Sequence, residues 1–219
     1  MPASGGETRA ARLARLSGLY AIAGGPDPVE QARAAIAGGA RVVQVRLKGR
    51  PAGDVLEAAR RVVDLARGRA LVLVNDRADL ALLAGADGVH GGDEDLPPAE
   101  ARRLVGPERL VGRTTRTLEE ARAALAEGAD HVGFGPMFGT RSKALALPPR
   151  GLAALREVCA ALPAPVVAIG GITEENVADV AAAGAACAAV IDDLFGRGDP
   201  EVRARILSAR FEEGRGRRA

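Results

Sequence analysis

Three polar side chains interrupt an apolar run at alternate positions. Gln44, Arg46 and Lys48 follow Val42 and Val43, with Val45 between the first two. Alternate residues of an extended strand share one face. Two cations and an amide therefore point to one side, a pattern suited to an anionic ligand. Two further polar groups are Asn75-Asp76-Arg77 and His90-Gly91-Gly92-Asp93-Glu94-Asp95. Carboxylates are hard oxygen donors for a divalent cation. If Asp76 and Asp95 share one rim, they suffice to bridge a single Mg²⁺, whose remaining positions go to substrate phosphates. Each also has an ordinary alternative as a helix cap, Asp76 before the segment that follows it and Asp95 before Pro97 and Pro98.

A glycine-rich stretch follows at 130–143. Gly133, Gly135, Pro136 and Gly139 give way to Thr140, Arg141, Ser142 and Lys143. Glycine lets backbone N–H groups approach an anion closely, and the two cations add charge. The plain alternative is a surface loop with solvated cations. Arg113-Thr114-Thr115-Arg116, Gly170-Gly171 and Asp192-Asp193 complete the polar clusters. No Ser-His-Asp set or nucleophile elbow is present. His90 and His131 are the only histidines. His131 opens an apolar run and reads as structural, and His90 as ordering the loop after it.

The elements that must position these residues alternate strictly. Apolar runs at 19–23, 41–45, 70–74, 88–90, 109–112, 131–135, 165–169 and 186–191 read as strands. Segments of helical spacing follow each, including 28–36, 78–84, 98–105, 152–162 and 201–211. Asp54 with Glu57 and Thr117 with Glu120 resemble capping pairs, and Thr173 reads as the cap of a helix reaching 183. Alternating βα units demand a parallel sheet. Eight of them predict an α/β fold with a single closed (β/α)8 (TIM) barrel, active at the carboxyl ends of its strands. An open doubly wound sheet is the rival, weakened because no Gly-x-Gly-x-x-Gly follows the first strand. The barrel is expected over 18–211. A partly helical extension at 1–17 precedes it, and a polar, mobile tail at 212–219 follows.

Composition limits the function classes. The chain has 219 residues, 47% hydrophobic and 26% charged, so it can bury a core. A net charge of +2 and 2% aromatics argue against nucleic acid as a partner. No apolar run approaches the ~20 residues of a membrane span, and the first segment lacks the apolar centre of a secretory signal. Cys159 and Cys187 have no metal-ligand spacing and read as buried, reduced thiols. The expectation is a soluble cytoplasmic protein acting on small molecules. A homo-oligomer is compatible with it.

Taken together, Gln44-Val45-Arg46-Leu47-Lys48, Val74-Asn75-Asp76-Arg77, Asp87-Gly88-Val89-His90, Asp95-Leu96, the run from Gly133 to Lys143, and Ala168-Ile169-Gly170-Gly171-Ile172 resemble the thiamine phosphate synthases. The resemblance runs in order from about Leu19 to Leu194. It implies a cytoplasmic enzyme joining 4-amino-2-methyl-5-hydroxymethylpyrimidine diphosphate to a thiazole phosphate, with diphosphate released. It further implies Asp76 and Asp95 as Mg²⁺ ligands, and Arg46, Lys48, Thr114 and Lys143 as the catalytic set. Gln44, Arg46, Lys48, Asn75 and Lys143 would hold the pyrimidine diphosphate. Thr140, Ser142, Gly171, Ile191 and Asp192 fall at the thiazole phosphate. Arg141 has no role in the family pattern.

Several positions depart from that pattern. Asp93 stands where the family usually has Gln, Thr114 where it has Ser, and Arg116 where His is common. Gly139 replaces a usual Pro. Asp192 replaces a Ser that helps bind the thiazole phosphate, and a carboxylate there is expected to repel the phosphate unless it turns away. Two alternatives stay open on the sequence. One is isomerase chemistry on a thiazole phosphate, as in the related tautomerases, or a divergent activity on another phosphate. The other is a non-catalytic phosphate- or thiamine-binding barrel. Asn75-Asp76 with Asp95 favours the synthase, because an isomerase has no leaving diphosphate to hold through a metal.

Overall fold

The structure, a computed structural model, describes residues 7–139 and 148–217. Eight parallel strands close into a barrel in chain order: β1 Gly18–Ala23, β2 Val42–Val45, β3 Leu71–Asn75, β4 Gly88–Gly91, β5 Leu110–Thr115, β6 His131–Phe134, β7 Val166–Ile169 and β8 Cys187–Val190. Closure is made by β1 against β8, with Gly18 opposite Cys187 and Ala21 opposite Val190. The helices are α1 Arg9–Arg15, α2 Pro28–Ala37, α3 Ala52–Ala66, α4 Ala78–Ala84, α5 Pro98–Val105, α6 Leu118–Ala126, α7 Gly151–Ala161, α8 Val177–Ala182, α9 Asp192–Phe195 and α10 Pro200–Gly216. None of them is long and apolar enough to cross a membrane.

The period-two alternation of the strands sorts their side chains into two cores. Leu19, Ala21, Val43, Val45, Val72, Val74, Val89, Val111 and Val132 face outward and pack against the helices. Tyr20, Val42, Leu71, Leu73, Leu110, Val167 and Cys187 face inward and fill the barrel. Leu13 and Leu16 join this inner cluster. The N-terminal extension thus plugs the amino-terminal mouth. Arg12 anchors it through Asp87, at 2.9 Å, and Asp87 also accepts the Val72 N–H at 2.8 Å. With one mouth stoppered, the carboxyl-terminal mouth is the open one.

Several local expectations are corrected. Asp54 lies inside the first turn of α3, which Pro51 precedes without a side-chain cap. Thr117 caps α6 by accepting the Glu120 N–H, but Glu120 reaches back to the N–H of Arg116 rather than that of Thr117. Thr173 does not cap α8. Its N–H donates to Asn176 Oδ1 in a tight turn, and the helix begins only at Val177. Strand β5 runs on to Thr115, so Arg113 and Thr114 sit on a strand rather than in a loop. The last helix does not stop at Phe211. Ala204, Leu207, Phe211 and Gly214 form one buried face, so residues 212–216 continue the helix where a mobile tail was expected. Cys187 is buried as expected, but Cys159 is only half-buried.

Candidate active site

The inward positions that are apolar near α1 turn polar toward the open mouth. On β2 to β5 they read Gln44, Asn75, His90 and Thr114, flanked by Tyr20 and Ile22 of β1 and Ile169 of β7. With Arg46, Gly171, Ile191 and Asp192 they line one cavity of about 710 Å³, within the usual size of a small-molecule site. Seven of the sequence-predicted residues are thereby brought together: Gln44, Arg46, Asn75, Thr114, Gly171, Ile191 and Asp192. Thr140, Ser142 and Lys143 lie outside the described residues, as does Arg141. Lys48 is not a lining residue. It extends along the rim to Asp76, with Nζ 3.3 Å from Oδ2.

Gln44 is 3% exposed and satisfies its buried amide by donating from Nε2 to the Tyr20 hydroxyl at 2.7 Å. Burial pushes the Tyr20 pKa up, so the phenol stays neutral. The pair presents fixed, uncharged polarity to the cavity. Tyr20, the sole tyrosine, is not marked out in the sequence, because it sits within the apolar run of β1; in the barrel it shares an inward face with Ile22.

Asp76 is not a helix cap. It follows the last residue of β3 with φ +62°, and α4 starts after Arg77 without a side-chain cap. Aspartate is among the few non-glycine residues that tolerate this left-handed region. The turn aims its carboxylate toward Lys48 and Asp95. Burial, and then the Asp95 carboxyl beside it, raise the Asp76 pKa, while Lys48 partly offsets them. Asp95 does not cap α5 either. Its Oδ2 accepts the Gly92 N–H at 2.6 Å and closes the loop back on itself. Two carboxylates crowded against their own repulsion are what a divalent cation relieves. Among the described residues no group of three or more His, Cys, Asp or Glu side chains converges. A pair of carboxylates is far from a full cage and suits Mg²⁺, which keeps several waters and takes phosphate oxygens, better than a metal that needs an all-protein site.

Two arginines of the rim are committed to the same loop. Arg113 donates to the carbonyls of Asp93, Asp95 and Leu96 at 3.2–3.4 Å. Arg116 pairs with the Asp93 carboxylate. The two departures from the family pattern at 93 and 116 therefore answer each other across the rim. The sequence shows neither pairing, because the partners lie on the loop after the preceding strand, β4.

At the opposite wall, Gly170 and Gly171 turn with φ +92° and +68°. A Cβ on Gly171 would lie 2.6 Å from the Gly139 carbonyl oxygen, so only glycine fits that approach. Asp192 opens the short helix α9, is exposed, and lines the cavity together with Arg197. Its neighbour Asp193 is turned the other way. It is buried, accepts the Glu174 N–H at 3.1 Å, and is paired with Arg203 at 2.5 Å and Arg197 at 3.2 Å. Both aspartates border the cavity, but the Asp193 carboxylate is committed to Arg203 and Arg197. Arg197, unremarked in the sequence, brings positive charge to the same wall.

The chain is similar to known proteins over nearly its whole length. The family model described as thiamine monophosphate synthase matches residues 19–194. A thiamine-phosphate synthase of Anaeromyxobacter dehalogenans (strain 2CP-C) is 71% identical over 218 residues, covering 100% of this chain and 98% of that protein. One from Myxococcus xanthus (strain DK1622) is 54% identical over 188 residues, covering 85% and 86%. Among solved structures, a thiamine phosphate pyrophosphorylase from Pyrococcus furiosus superposes with a TM-score of 0.83 at 35% identity, covering 91% of this chain and 98% of that one. The match spans the barrel and every strand end that carries a site residue, and the chain belongs to the thiamine monophosphate synthase family of enzymes.

Proposed function

We propose that this enzyme condenses 4-amino-2-methyl-5-hydroxymethylpyrimidine diphosphate with 4-methyl-5-(2-phosphoethyl)thiazole, carboxylated or not, to give thiamine phosphate and diphosphate, with CO₂ released as well when the thiazole is carboxylated. The observation that carries this reading is the crowded Asp76–Asp95 pair; neither carboxylate lines the cavity itself, but Asp76 directly follows Asn75, which does, as does the Gly170–Gly171 turn. One end suits a metal-bound diphosphate and the other a phosphate monoester. Arg116 adds support against tautomerase chemistry, because the place of that enzyme's acid–base histidine holds a salt-bridged guanidinium.

In this mechanism the C–O bond between the pyrimidine methylene and the diphosphate breaks first, and the electron pair leaves with the diphosphate. Asp76 and Asp95 would hold Mg²⁺, which supplies charge neutralisation for that leaving group. Lys48 and Arg46 add positive charge at the same end, and Lys143 joins them by family resemblance. Asn75, next to Asp76, orients the ester. The electron-rich aminopyrimidine carries the positive charge left on its methylene, held against Gln44 and Tyr20. The thiazole nitrogen then attacks that carbon, and the phosphate on its side arm rests at Gly171 and the start of α9. No protein nucleophile is needed. The reaction is placed in the cytoplasm.

The purified chain, mixed with both substrates and Mg²⁺ alone, is expected to release thiamine phosphate and diphosphate in equal amounts. No product above background would overturn the reading.

Two site variants sharpen it. Asp192→Ser removes a charge from the phosphate wall. Because the residue is exposed, the apparent KM for the thiazole phosphate should fall only roughly two- to fivefold. An unchanged KM would show that the carboxylate points away from the ligand. Arg113→Met keeps the side-chain length but releases the carbonyls of the Asp93–Leu96 loop. The Mg²⁺ concentration giving half-maximal rate should rise about 10- to 100-fold, as when a group orienting a metal ligand is lost. The rate at saturating Mg²⁺ should change little. An unaltered Mg²⁺ dependence would remove Arg113 from the metal loop's support.

A further inference from the structure

Two histidines that the mechanism leaves unused lie one above the other in the barrel, His90 lining the cavity and His131 beneath it. His131 is fully buried and His90 is 7% exposed. Their rings are 5.4 Å apart and tilted by 30°, with His90 Nδ1 at 3.3 Å from His131 Nε2. The other nitrogen of His90, Nε2, lies 3.0 Å from Thr114 Oγ1. Gly112 makes the room, since a Cβ there would stand 2.2 Å from His131 Nε2 and 2.4 Å from His90 Nδ1. A three-member chain thus runs from the barrel interior to a residue of the site.

We propose that His131 is a positioning residue that, acting through His90, fixes the Thr114 hydroxyl as a hydrogen-bond donor aimed into the cavity. The chain can be polarised in two ways. In one, His90 donates from Nδ1 to His131, and His131 must then carry its proton on Nδ1. That atom is buried with no hydrogen-bond partner among the described residues. Orphaned buried N–H groups are rare and costly. In the other, His131 donates from Nε2, and its orphan is a bare lone pair. His90 then carries its proton on Nε2 and donates to Thr114. Occupied as an acceptor from below, the Thr114 hydroxyl turns its own proton toward the cavity it lines. Burial and the neighbouring His90 keep His131 neutral, so it holds a single tautomer rather than a charge. The ligand group this suits is an anionic oxygen, and under the proposed function that is an oxygen of the departing diphosphate.

The last clause rests on the synthase reading. The tautomers do not, so the two can fail separately. Long-range ¹⁵N–¹H correlation spectra of the free protein are expected to show both histidines as neutral Nε2–H tautomers. A His131 proton on Nδ1 overturns the proposal whatever the protein catalyses. In steady-state kinetics, His131→Phe keeps a ring but removes both nitrogens. It should lower kcat roughly three- to tenfold, part of the value of a hydrogen bond to a charged group, and leave KM for the thiazole phosphate unchanged. His131→Gln, which restores an N–H donor, should recover most of that loss. In a Thr114→Val background, His131→Phe should cost nothing further. An equal cost with and without the Thr114 hydroxyl would show that His131 only fills space.

Discussion

Asp76→Asn is expected to abolish turnover and, in Mg²⁺-free buffer, to raise Tm. Asparagine is the right replacement because residue 76 sits at φ +62°. Asn tolerates that region as Asp does, whereas Ala would add backbone strain to the loss of charge. Turnover should fall by about 10²–10³-fold or more, the scale of losing one preorganised group that meets developing charge. The stability change has the opposite sign. Burial and Asp95 raise the Asp76 pKa in the folded state, and Lys48 does not fully offset them. A carboxyl whose folded pKa lies above its unfolded value is penalised when ionised. That penalty is complete above the folded pKa and disappears as the pH falls through it toward the unfolded value. The variant's advantage in Tm should therefore be largest at neutral pH and fade on acidification. Saturating Mg²⁺ should reverse the order, because a ligand that binds only the folded wild type stabilises it. Thermal melts with and without Mg²⁺ at two pH values, beside the product assay, read all of this. Full activity in Asp76→Asn would dismiss the carboxylate as a metal ligand.

Gly214→Ala should destabilise the fold, against the direction of helix propensity. Residue 214 lies inside α10, where alanine is intrinsically favoured over glycine by about 1 kcal/mol. Packing decides the other way. A Cβ at 214 would stand 1.9 Å from the Ala178 carbonyl oxygen and 2.6 Å from its carbon, both backbone atoms of α8. Neither can swing aside as a flexible side chain would. Overpacking of this kind costs roughly 1–3 kcal/mol. With propensity subtracted, Tm is expected to fall by several degrees, about 2–4 °C per kcal/mol for a chain of this size. Activity at low temperature should be nearly normal, because α8 and α10 bring no side chain to the cavity. An unchanged or higher Tm would mean that the end of α10 frays in solution, as the polar sequence after Phe211 suggests.

That helix shows where local reading stops. The polar residues after Phe211 outweigh one small buried position, and only contact with α8 reveals that Gly214 continues the buried face. The eight-fold alternation was legible for the opposite reason. Strand period, glycine stops and apolar runs are properties of neighbouring residues, and each βα unit repeats them. The polar strand ends were legible in the same way, since Gln44, Arg46 and Asn75 interrupt runs that are otherwise apolar. Arg113 and Arg116 were visible only as rim cations. Their partners, Asp93 and its loop, belong to the next strand over, and the pairing depends on β5 extending to Thr115.

By itself the sequence determined the closed barrel and the family, because these follow from repeated local patterns and from motifs in fixed order. Tertiary structure alone decided which side chains meet. It decided for Asp76 between the helix cap and the carboxylate pair with Asp95, both of which the sequence allowed. It sent Asp193 inward to Arg203 while leaving Asp192 at the ligand wall. It set His131 beneath His90 through the space at Gly112. The physical reason is register. Parallel pairing sets residues distant in the chain side by side, as Gly112 stands between His90 and His131, and a shift of one residue would send a strand's side chains to the other face of the sheet.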